Sequence, residues 1–159
     1  MSMNYHGHGT ANVVDYLSDA QTLPNATAVD STQMVEVGGK TNNKLKVYVY
    51  ANNAVEIATG QAFKITVEAF TADTAASATD IFSYDNSGTQ TLVPGHYDIY
   101  TKTSADDAAA WAAGELITEW VVSEELLNLM SYDFIQLKYT TDADESADKV
   151  DAWVEVIRP

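Results

Sequence analysis

The stretch Leu45-Lys46-Val47-Tyr48-Val49-Tyr50 (LKVYVY) sets an aliphatic residue at every odd position and a charged or aromatic one at every even position. A period of two is the repeat of a β-strand with one face buried, because successive side chains leave a strand on opposite sides. Phe63–Phe70 (FKITVEAF) repeats the pattern, with Phe63, Ile65, Val67 and Ala69 opposed to Lys64, Thr66, Glu68 and Phe70. Near the C-terminus, Phe134–Tyr139 (FIQLKY) and Lys149–Ile157 (KVDAWVEVI) follow suit. The latter puts Val150, Ala152, Val154 and Val156 together and turns Asp151, Trp153 and Glu155 away. Met34–Val37, Asp80–Tyr84, Tyr97–Lys102 and Leu116–Val122 read as weaker strands.

Between these runs lie Val37–Asn43 (VGGKTNN), Asp85–Gly88 (DNSG) and Val93–His96 (VPGH), which carry the Gly, Asn, Asp and Pro of tight reversals. Helical signals are few. Ser104–Gly114 (SADDAAAWAAG) has acids first, alanines next and a closing glycine; Ser123–Met130 (SEELLNLM) has a serine cap followed by acids. Each predicts a short helical turn. Short, evenly spaced strands with so little helix predict an all-β fold. The expected form is an antiparallel β-sandwich or jelly roll of about eight strands with one or two short helical turns. No repeat or linker divides the body. Residues 12–159 read as one jelly-roll-like domain, preceded by a flexible N-terminal arm, residues 1–11.

Composition narrows the function. With 46% hydrophobic residues, the 159-residue chain can bury a real core. It lacks cysteine, which excludes disulfides and thiol chemistry. No apolar run reaches membrane-spanning length, and the N-terminus has neither the basic nor the apolar region of a secretory signal. Eight Lys+Arg against 23 Asp+Glu give a formal charge of −15. Such a surface repels phosphate backbones and anionic headgroups, so neither nucleic acid nor membrane is expected as a partner.

Catalytic constellations are not visible. No serine sits in a G-x-S-x-G elbow. His96 follows Pro94-Gly95 and reads as a turn residue. Tyr5-His6-Gly7-His8-Gly9 holds two imidazoles one residue apart, but its flanks offer no third ligand, so it reads as part of the arm and no metal is expected. Thr140–Lys149 supplies Asp142, Asp144, Glu145 and Asp148 as oxygen ligands for a weakly held cation. It lacks the glycine and terminal glutamate of a calcium loop, since Trp153 stands where that glutamate belongs, and it reads as a solvated loop. More informative are the aromatics opposite the strand cores: Tyr48, Tyr50, Phe70, Phe134 and Trp153. Several on one β-body can anchor a partner, and the same rings can stack on sugars.

Several segments resemble a known family. Val14-Asp15 with Ser18-Asp19-Ala20-Gln21 is similar to its opening. Ser31–Gly39 (STQMVEVGG), the paired runs from Leu45 to Asp73, Ala112–Val122 followed by Phe134–Thr141, and the closing Asp148–Val156 then follow in the family's order. The family is that of small tailed-phage capsid cement, or decoration, proteins of the jelly-roll kind, first described on a Bordetella phage. This chain departs from it in its N-terminal arm, in a longer stretch around Tyr100–Trp111, and in its acidity. The resemblance implies a structural virion protein without catalytic residues or cofactor. It would bind the outer surface of the assembled capsid, bridge major capsid protein subunits and self-associate as homodimers, with trimers the alternative. Tyr5, His6 and His8 of the arm, with the five outward aromatics, are the expected capsid or oligomer contacts. The competing expectation is a carbohydrate-binding jelly-roll module for host attachment, with Tyr48, Tyr50 and Trp153 as stacking platforms.

Overall fold

A computed structural model describes residues 13–36, 44–70, 96–122 and 134–157. Among these residues every regular element is a strand and every pairing is antiparallel. One sheet has the order β1 (Val13–Thr22), β11 (Lys149–Ile157), β4 (Lys44–Ala51), β9 (Leu116–Val122). The second runs β2 (Ala28–Asp30), β10 (Phe134–Thr141), β6 (Phe63–Phe70), β7 (His96–Lys102), with β3 (Val35–Glu36) also on β10. A two-stranded ribbon joins β5 (Val55–Ile57) to β8 (Ala109–Trp111). The chain changes sheet from β4 to β6, from β7 to β9, and from β9 through β10 to β11, while β6 and β7 are neighbours in one sheet. The chain thus forms the expected all-β antiparallel sandwich of jelly-roll kind.

The core follows the alternation. Leu45, Val47 and Val49 meet Val150, Ala152 and Val154 within the first sheet, and Leu17 and Ile117 extend them. Phe63, Ile65, Val67, Ile135, Leu137 and Tyr139 face them from the second. One open side is closed by the stacked rings of Tyr97 and Trp120, 4.7 Å apart, which join β7 to β9. There the Thr118 hydroxyl also donates to the Ile99 carbonyl.

The outward side of the second sheet departs from expectation. Glu68, Thr66 and Gln136 are buried although the alternation turns them away from the core. They are affordable there because each is paired. Glu68 binds the Lys138 ammonium and accepts from Gln136 Nε2 at 2.9 Å; Thr66 donates to Asp98 at 2.7 Å.

Four further strands escape the sequence reading: β1, β2, β5 and β8. The last is a correction. Ser104–Gly114 forms no helical turn. The Asp106 carboxylate accepts from the Thr103 N–H and hydroxyl, which closes a tight turn, and Ala109–Trp111 then pairs with β5. A helix this short is marginal by itself, whereas pairing gives each peptide a partner and lets Trp111 pack edge-on against Tyr100. Ser123–Met130, Asp80–Tyr84 and the arm at residues 1–11 lie outside the described residues.

Candidate binding face

The outer side of the first sheet gathers three of the expected contact residues. Trp153 on β11 stands directly across from Tyr48 on β4 and from Tyr16 on β1. Tyr50 stacks on Trp153 with centroids 4.8 Å apart and planes 5° from parallel; Tyr48 and Tyr16 approach the same indole at 5.7 and 5.9 Å. All four are half-buried. This ring cluster follows from the register of three strands. Tyr16 was not among the expected contacts; the signal that finds it is its pairing with Trp153.

Next to the rings, β9 adds aliphatic surface. Leu116 lies across from Tyr50 and Val121 across from Lys46, and they are exposed by 39% and 50%. A register shift between Val49 and Tyr50 makes this arrangement. Under strict alternation Leu116 would point inward with Thr118 and Trp120. The bulge instead turns Ile117 into the core and Leu116 out. The face therefore runs from Tyr16 at one edge to Leu116 and Val121 at the other.

Its charges are acidic. Glu119 is exposed, lies across from Tyr48, and has no hydrogen-bond or ion partner among the described residues. Glu155 accepts from the Tyr48 hydroxyl at 3.4 Å. Asp151 is already committed, to the Ala20 N–H at 2.6 Å and to Asn52 Nδ2 at 2.9 Å. The cations of this face include Lys46 on β4 and the exposed Lys149 at the start of β11.

Phe70 and Phe134 do not join this group. They pair with each other on the second sheet, in the opposite layer of the sandwich. Tyr5, His6 and His8 lie outside the described residues. His96 opens β7, directly after Pro94-Gly95 in the sequence.

The acidic loop between β10 and β11 does not form a cage. Among the described residues no three histidine or carboxylate side chains converge as metal ligands. Asp142 accepts from the Ala62 N–H at 2.6 Å, Asp148 from the Glu56 N–H at 3.1 Å, and Asp144 from the Ser146 N–H and hydroxyl. The Ser146 bonds hold the Asp144 carboxyl below its ordinary range. Glu145 differs: only 7% exposed, it has no hydrogen bond to its carboxylate among the described residues. Burial pushes its pKa up, and the charges of Asp148, Asp144, Asp142 and Glu56 push the same way.

Nearby, a cavity of about 340 Å³ opens beside Phe63, Lys102 and Asp142. Its ionic groups are already engaged. The buried Lys102 ammonium donates to the carbonyls of Ala58 and Gln61 at 3.1 and 2.7 Å, and it lies 3.4 and 3.5 Å from those of Thr103 and Asp106.

The Ser18-Asp19-Ala20-Gln21 segment is a folding device. Two register shifts in β1 turn both Ser18 and Gln21 inward. Ser18 Oγ donates to Gln21 Oε1 at 2.6 Å, which leaves the Tyr139 hydroxyl to donate to Ser18 at 2.9 Å. Gln21 also accepts from the Thr32 N–H and donates to the Asp30 carbonyl. Ala20 takes a positive φ of 46° to make the bulge.

No protein-family model and no curated protein matches this sequence. Among solved structures, the chain is similar to one in the structure of infectious bursal disease virus, Gx strain, at 8% identity and a TM-score of 0.44. The match covers 98% of this chain and 37% of the other, so this chain spans little more than a third of that one's length. The likeness is one of chain path.

Proposed function

We propose that this protein is a structural component of a virus particle: a capsid cement protein. It binds the outer surface of the assembled head, bridges major capsid protein subunits there, and associates with copies of itself. It acts by bound area, with neither catalysis nor cofactor. One observation carries the reading: a continuous half-exposed face of Tyr16, Trp153, Tyr48 and Tyr50, extended by Leu116 and Val121, on a body of formal charge −15. Scattered apolar residues on a surface are ordinary, whereas a contiguous strip rimmed by polar groups is what an interface uses.

A ligand that binds only the assembled lattice stabilises it by mass action, and contacts repeated over a symmetric shell act together. The acidic body keeps free copies apart while favouring basic patches on the shell. Residues 1–11, with Tyr5 as anchor beside His6 and His8, would add a second contact by ordering against a neighbour.

The carbohydrate reading needs an aromatic platform with open ring faces. Here Tyr50 and Trp153 turn faces toward each other, which supports a protein partner instead. The test is decoration of undecorated shells with purified protein. Saturable binding at a fixed stoichiometry and a raised shell melting temperature are expected. Free protein that fails to bind shells, or that binds defined sugars on a glycan array, would overturn the proposal.

A further inference from the structure

Glu119 is exposed on β9 directly across from Tyr48, and Trp153 and Glu155 lie on the far side of Tyr48, on β11. Among the described residues Glu119 makes no ion pair. We propose that this face seats an arginine of a partner protein, its guanidinium lying against the Tyr48 ring with its N–H groups on Glu119.

A guanidinium fits both halves of the site. It is planar and weakly hydrated, so it stacks on aromatic faces, and its fork of donors matches a carboxylate. A lysine ammonium satisfies the carboxylate but stacks poorly. A second copy in symmetric contact fits less well, because the same face would bring Glu119 toward its own equivalent on a body of formal charge −15. The inference rests on the structural reading above, and it names the partner chemistry at that face.

Titration of the full-length, ¹⁵N-labelled chain with an oligoarginine peptide at low ionic strength tests it directly. Shifts concentrated at Glu119, Tyr48, Leu116 and the Trp153 indole N–H are expected. Glu119→Gln, at an exposed position, should weaken binding roughly tenfold. Tyr48→Leu should also weaken it, oligolysine should bind less well, and Asp107→Asn, an exposed acid away from this face, should change little. Equal binding of oligolysine, shifts spread over the whole acidic surface, or an equal loss with Asp107→Asn would overturn the inference. Decoration assays separate it from the reading beneath. Shells that wild-type and Glu119→Gln protein coat equally overturn the arginine contact alone; shells that neither coats overturn the cement reading.

Discussion

Gln21 holds together three segments that no hydrophobic pattern would have joined. Its amide accepts from Ser18 and from the Thr32 backbone and donates to Asp30, while Ser18 receives the hydroxyl of the buried Tyr139. Replacing Gln21 by Ala leaves the Ser18 hydroxyl without its acceptor inside the sandwich, at a cost of about 1–3 kcal/mol measurable by urea unfolding. Tyr139→Phe should cost less, because Ser18 keeps Gln21 as its acceptor. Glu145 makes the opposite case. Its folded pKa lies above the ordinary carboxylate value, so its neutral form favours the fold and that contribution is lost as pH rises through the folded pKa. At neutral pH the ionised group is a burden. Glu145→Gln is therefore expected to melt higher than wild type near neutrality, with the gain shrinking as pH falls through the carboxylate range. A variant that melts lower at neutral pH would show that the charge is compensated. In the sequence, Ser18-Asp19-Ala20-Gln21 was recognisable as a resemblance but not as a buried network. Its bulges are written in backbone angles such as the positive φ of Ala20, to which side-chain periodicity is blind.

Among the elements, the long alternating strands were the most legible. Leu45, Val47, Val49, Val150, Ala152 and Val154 are buried as their spacing demands, and Trp153, Tyr48 and Tyr50 turn outward together. What escaped was short or irregular. Strands β5 and β8 are three residues each, too brief to show a period, and the alanines of the second resembled a helix until pairing decided otherwise. On β9 the bulge changed which residues face outward, so Leu116 could not be assigned from alternation. Phe70 and Phe134 share the parity of outward residues but belong to the other layer, a matter of topology that a local pattern does not carry. The clamp between layers is Trp120 against Tyr97. Trp120→Ala should destabilise by about 2–4 kcal/mol, through lost burial and lost stacking, with the loss read from chemical denaturation. An unchanged midpoint would mean that the layers are held elsewhere.

For the molecule as a whole, charge and shape act separately. The sandwich is built from apolar pairs, while the formal −15 is a load of self-repulsion that the fold carries for other reasons. Added salt should screen that repulsion, so the melting temperature is expected to rise from low to moderate ionic strength. A fall would indicate that surface ion pairs such as Lys138 with Asp30 outweigh it. Decoration of shells should respond the other way, weakening as salt screens attraction to basic patches. At one end of the sandwich a positive group takes the reverse role. The Lys102 ammonium is out of solvent, its protons turned to main-chain oxygens of two loops. An acylating reagent applied to the native protein should thus spare this amine while modifying exposed Lys149, and its reaction would report the moment those loops part.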